Sequence, residues 1–136
     1  LKTDNLILTK TYEFALRIVR LSQFFIDEKR AYQLADQVRR SGTSIGATME
    51  EAIGGQSRRD FIAKCSIAYK EARETHYWLR LLRDTDFISE KQASSLLSNC
   101  EEILKILTTI LRTTKAENPD DLANEDPSPY DLIINS

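Results

Sequence analysis

Up to about residue 116, apolar residues return every three or four positions and polar residues fill the gaps. That period marks amphipathic helices, since one turn takes about 3.6 residues. No alternating stretch argues for a strand. The first helix is predicted over about residues 5–28. Its stripe is Leu8, Ala15, Ile18, Leu21 or Ser22, and Phe25, flanked by Tyr12, Phe14, Val19 and Phe24, and the polar run DEKR ends it. The second starts near Tyr32, where Leu34, Val38, Ser41, Ile45, Met49 and Ala52 form one stripe.

Gly42 and Gly46 lie one turn apart inside this second helix. An interior Gly costs about 1 kcal/mol relative to Ala. The expected return is close approach of another helix, because no Cβ holds it away. Gly54 and Gly55 then stop the helix, as Gly does at helix C-termini. Ser57 with Asp60 resembles a capping box and opens a third helix that runs to about Asp84. Ser89 with Gln92 fits that box better and opens the fourth. Its stripe is Ala93, Leu96, Leu97, Cys100, Ile103, Leu104, Leu107, Ile110 and Leu111. Only DTDFI separates helices three and four, so they must be antiparallel neighbours. The reading is all-α: an up-down-up-down antiparallel four-helix bundle.

Composition divides the 136 residues in two. All 19 Lys and Arg fall within residues 1–116, against 15 of the 21 Asp and Glu, so the body carries +4. Residues 117–136 hold six acids, all three prolines and no base, a charge of −6. We read a bundle over 1–116 and an extended acidic tail over 117–136. The tail closes on Tyr130, Leu132, Ile133 and Ile134, apolar enough to dock into a groove. No apolar run is long enough to span a membrane and no signal peptide is visible, so a cytoplasmic chain is expected. Cys65 and Cys100 sit in helical apolar patterns and read as reduced core thiols, with no C-x-x-C motif.

Enzyme chemistry finds little footing, and no catalytic residue, cofactor or metal is assigned. A di-iron bundle needs Glu-x-x-His on two helices. The single histidine, His76, has Arg73 three residues before it. There is no nucleophile elbow and no phosphate-cradling glycine pattern. Gly54-Gly55-Gln56 matches the Gly-Gly-Gln signature of release factors, but a Gly pair at a helix stop needs no further cause. Glu50, Glu51, Glu71 and Glu74 read as solvated or ion-paired helix faces.

The third helix carries more. At about 100° per residue, Ser66, Lys70, Arg73, Tyr77 and Arg80 all fall within about 60° of the line through Arg59. A basic stripe with an aromatic in it suits a nucleic-acid backbone, and Arg39 and Arg40 extend it. The plain alternative is a solvated face laced by i,i+4 ion pairs. A further face holds Ile67, Trp78 and Leu81. One bundle cannot bury three sides of a helix, so an exposed Trp there, supported by the Gly42/Gly46 face, is expected to mark a self-association surface.

The run QVRRSGTSIGATMEEAIGGQSRRDF, followed by IAYKEARETHYWLRLL, resembles a specific family over about residues 5–114. These are the four-helix-bundle proteins encoded by intervening sequences in bacterial 23S ribosomal RNA genes. The family pattern, roughly Gln-x-x-Arg-Ser-x-x-Ser-Ile-x-x-Asn-Ile-x-Glu, falls on Gln37, Arg40, Ser41, Ser44, Ile45, Thr48, Met49 and Glu51, with Phe61 downstream. Thr48 replaces the usual Asn, Met49 the usual Ile, and Ala52 a frequent Gly. The change at 48 leaves open whether that position keeps a polar role. The resemblance implies a ring-like homopentamer without established enzymatic activity. It extends to the accessory proteins of diversity-generating retroelements, basic pentameric bundles that bind a reverse transcriptase and nucleic acid. The expected function is therefore a non-enzymatic oligomer that binds nucleic acid, structured RNA before DNA. The alternative is a protein-interaction scaffold without nucleic-acid contact.

Overall fold

The computed structural model describes residues 2–55 and 57–116. Gln56 and the tail, with its six acids and Tyr130, Leu132, Ile133 and Ile134, lie outside the described residues. Four helices follow one another: α1 (Lys2–Phe24, extended by a π turn over Phe25–Lys29), α2 (Tyr32–Ile53), α3 (Arg58–Asp84) and α4 (Glu90–Ala116). Each packs on its neighbour in sequence, and α4 closes on α1 along the loosest seam. Contacts that pair early residues of one helix with late residues of the next make every seam antiparallel. Thr11 meets Gly46 and Ile18 meets Gly42. Thr48 reaches Glu71, His76 reaches Glu101, and Lys10 reaches Glu102.

The helix ends follow their sequence signals. Ser57 accepts the Asp60 amide at 3.0 Å, but the Asp60 carboxylate does not return the bond to the Ser57 amide, so this cap is one-sided. Ser89 and Gln92 complete theirs in both directions: the Gln92 amide donates to Ser89 Oγ, and the Ser89 amide to Gln92 Oε1, each at 3.1 Å. Gln reaches back where the shorter Asp cannot. Asp86 ends α3 in the left-handed region, φ 64°. The Phe87 amide then donates to Leu82 O and the Asp86 amide to Arg83 O, a Schellman closure.

The core confirms the stripes of α2 and α4 and rotates that of α1. From Ala93 to Leu111 all nine predicted α4 positions are buried. On α1 the buried line is Ile7, Thr11, Phe14, Ile18, Leu21, Ser22 and Phe25, while Leu8 and Ala15 sit at its edge. Apolar residues cover more than half of the α1 circumference, so period alone could not choose the inward side. Each large side chain buried here contributes about 1.5–3 kcal/mol.

Gly42 has the return its sequence cost demanded. A Cβ there would stand 2.7 Å from Ile18 Cγ2, closer than carbon atoms approach. At Gly46 the nearest atom would be Thr11 Oγ1 at 3.3 Å, tight but short of a clash. The two glycines let α1 and α2 touch backbone to side chain.

Candidate nucleic-acid interface

Burying Ala68, Ala72 and Leu79 turns the opposite side of α3 to solvent. That side carries Arg59, Lys70, Arg73, Tyr77 and Arg80, every one exposed. Tyr77 is 51% exposed, and the Arg80 guanidinium lies 5.9 Å from its ring centroid, a cation–π contact. Among the described residues, no ion pair engages Arg59, Lys70, Arg73 or Arg80. No i,i+4 ion pair closes on this face among the described residues, although Arg80 lies near enough to Asp84 to help hold its carboxyl below the usual range. Lys64 and Arg83, off this line, are paired to Glu51 and Asp84.

The two α2 arginines part company. Arg40 comes together with Lys70 on the wall of a cleft between α2 and α3. Arg39 lies about 100° further round the helix and is engaged by Asp36.

That cleft has a volume of about 340 Å³ and is lined by polar side chains of both helices. Gln37, Ser41, Ser44, Thr48 and Glu51 are spaced four, three, four and three apart, which makes one flank of α2 a polar stripe facing α3. Thr48 Oγ1 donates to Glu71 Oε1 at 2.8 Å. Position 48 therefore keeps a polar role with Thr in place of Asn. The other Glu71 oxygen, Oε2, is sheltered from solvent and has no hydrogen-bond partner. Burial pushes the Glu71 carboxyl above the ordinary range; the Thr48 and Ser44 hydroxyls oppose that, and Glu74 and Glu51 add to it by repulsion. Glu71 is thus not the solvated residue that its helix alone suggested. The missed signal was the polar stripe of α2, which needs an equally polar partner beside it.

The apolar surfaces also differ from expectation in detail. Ile67 is 47% exposed, but Trp78 and Leu81 are half-buried. The Trp78 ring packs on the core and meets Tyr77 edge-on at 5.5 Å between centroids. Its Nε1 is buried without a partner. Gly42 and Gly46 face α1 of their own chain. A second apolar line runs over α1: Tyr12 and Val19, which periodicity had placed beside the core, are exposed, Tyr12 by 65%, and Leu16, which periodicity had not singled out, stands exposed with them.

His76 Nε2 lies 3.1 Å from Glu101 Oε1. Cys65 and Cys100 are buried thiols outside any disulfide; burial and the nearby Glu101 push Cys100 up to about 12. Among the described residues, no three His, Cys, Asp or Glu side chains are grouped to hold a metal ion, and no helix is long and apolar enough to cross a membrane.

Comparison with known proteins places this geometry. A crystal structure of a protein of unknown function from the S23 ribosomal protein family, from Bacteroides thetaiotaomicron, superposes with a TM-score of 0.79 at 46% identity. The match covers 81% of this chain and 98% of that one. No curated protein matches. The family profile of the 23S rRNA-intervening sequence proteins matches residues 3–109, which takes in the polar stripe of α2, the cleft and the basic face of α3. The chain belongs to the 23S rRNA-intervening sequence protein family.

Proposed function

We propose that this protein is a non-enzymatic, oligomeric helical module that binds RNA through the outer face of α3. The observation that carries the reading is the row of four exposed cations, Arg59, Lys70, Arg73 and Arg80, without ion pairs among the described residues and with Tyr77 between them. Unpaired cations in a row are free to replace the counterions of a phosphate backbone. Arg40 extends the row across the cleft.

Oligomerisation is supported by two separate apolar surfaces, Tyr12, Leu16 and Val19 on α1, and Ile67 with the edges of Trp78 and Leu81 on α3. Two different patches that join head to tail generate a ring when the rotation between neighbours closes. A homopentamer, the assembly suggested by family resemblance, would repeat the basic face five times. The same α1 surface favours a second reading, a scaffold that holds a protein partner such as a reverse transcriptase and leaves the nucleic acid to it.

The test is retention of a structured RNA at two salt concentrations, with the assembly mass read by light scattering on the same samples. Wild type should bind as an oligomer, and binding should fall steeply with salt, each phosphate contact adding about 0.7–0.9 to the slope. The variant with Arg59, Lys70, Arg73 and Arg80 changed to Glu should lose about tenfold or more at low salt while keeping its mass. Equal binding by both proteins would sink the RNA reading and leave the scaffold.

A further inference from the structure

The basic row of α3 begins where α4 ends. The Arg58 guanidinium donates to Thr114 O, so the last turn of α4 lies beside the first turn of α3. Residues 117–136 follow Ala116 from that place, next to Arg59. α3 runs away from this end of the bundle and carries the row on through Lys70, Arg73 and Arg80. At about 1.5 Å per helical residue, Arg59 and Arg80 stand about 32 Å apart. Fully extended, the chain from Ala116 to Asp131 spans about 50 Å. That stretch holds six acids and no base: Glu117, Asp120, Asp121, Glu125, Asp126 and Asp131.

We infer that residues 117–131 lie along the outer face of α3 of their own chain, acids against Arg59, Lys70, Arg73 and Arg80, and that RNA must displace them to bind. The contact is independent of the RNA reading above; the displacement rests on it.

Charge, starting point and reach select this face together. Elsewhere on the bundle Lys10, Arg39, Lys64 and Arg83 already have acidic partners, and Arg17 is held by Ser95 and Asn99. Lys29 and Lys91 are exposed, but they stand at the opposite end of the bundle from Ala116. The α3 row starts beside the tether and has no ion pair among the described residues. An exposed ion pair contributes little alone. A tether changes the sum, because it presents the acids at an effective concentration that reaches the millimolar range. The segment is nevertheless a dilute polyanion, with six charges in fifteen residues, whereas RNA carries one on every nucleotide. It therefore sets a threshold for binding and does not lock the face.

The test treats the full chain at low salt with a carbodiimide, which joins a carboxylate to an amine in direct contact, and maps the joined residues by mass spectrometry. Lys64 with Glu51, 3.3 Å apart, is the internal control. Lys70 should join to acids of residues 117–131 about fivefold more often than Lys29 or Lys91 does, at monomer mass on a denaturing gel, and the excess should fade with salt. Saturating structured RNA should suppress the Lys70 links. Links spread evenly over the three lysines, or none at Lys70 while Lys64 joins Glu51, would overturn the contact and leave the RNA reading to its own salt-dependence test. Lys70 links found only at dimer mass would assign the segment to a neighbouring subunit and overturn the assignment to the same chain. Links that withstand an RNA the protein retains would overturn the displacement. Lys70 links at monomer mass from a protein that retains no RNA would support the contact and remove the RNA reading.

Discussion

The two flanks of α2 are built from one short stretch of sequence and do opposite things. On one flank Gly42 and Gly46 offer no side chain, and Ile18 of α1 fills the space at Gly42 while Thr11 comes close to Gly46. On the other, Ser44, Thr48 and Glu51 hold α3 off with polar atoms, and a cleft of about 340 Å³ remains. The first seam has no room for a side chain at Gly42 and little at Gly46. The second is open, charged and carries a carboxylate only partly satisfied. Small residues therefore mean different things nearly half a helical turn apart: absence of a side chain makes a close contact, and a hydroxyl opens a polar cleft.

The contrast can be broken most sharply at Gly42. Gly42→Leu would drive a side chain into Ile18, which is fully buried and has nowhere to move. Overpacking of this kind costs about 1–3 kcal/mol or more, and chemical denaturation should show a loss at or above that range. Gly46→Ala should stay within about 0.5 kcal/mol of wild type, its helix-propensity gain set against a Thr11 contact at 3.3 Å. If both changes cost the same, the close-contact account of this seam is wrong.

Thr48→Val probes the other flank with little change of shape. It removes the 2.8 Å bond to Glu71 Oε1, while Oε2 already lacks a partner. We expect a loss of about 1–2 kcal/mol at neutral pH. An unchanged denaturation midpoint would show that water already serves Glu71 as well as Thr48 does.

Glu71→Gln has the smallest and most informative effect. Burial raises the Glu71 pKa, so the fold prefers the protonated form. The stabilisation this gives is fully present below the ordinary value of 4.5 and is lost as pH rises through the raised value. Gln is neutral throughout and still accepts the Thr48 bond. The variant should exceed wild type in melting temperature by a few degrees at about pH 8, and the gap should close by about pH 4. A gap that does not vary with pH would remove Glu71 titration as its cause.

Much of this comparison was legible in sequence, and the missing part has a physical reason. Stripes on α2 and α4 are narrow and bounded by charge, so their inward faces follow from period alone. The Gly42/Gly46 pair announced a close approach through its cost to the helix, although not which helix would come close. Helix α1 was rotated, because Tyr12, Leu16 and Val19 make a second apolar line that competes with the true core line. Trp78 was expected outside and lies half-buried, since a large ring at the edge of the core stripe can fold back onto it. Glu71 was hidden for a different reason. A helix read alone shows whether a residue leaves the core, but the neighbour it then meets depends on how two helices are turned toward each other.

The buried Cys100 has a consequence for how the bundle can be observed in solution. Its Sγ donates to Ala72 O at 3.3 Å across the α3–α4 seam, and its pKa stands at about 12. Only thiolates are alkylated at useful rates, and burial keeps Cys100 protonated at neutral pH. With the sulfur out of solvent as well, alkylation must wait until α3 and α4 separate. When resealing outpaces reaction, the labelling rate reports the equilibrium population of that opened form. The native chain thus contains its own gauge of how often these two helices part.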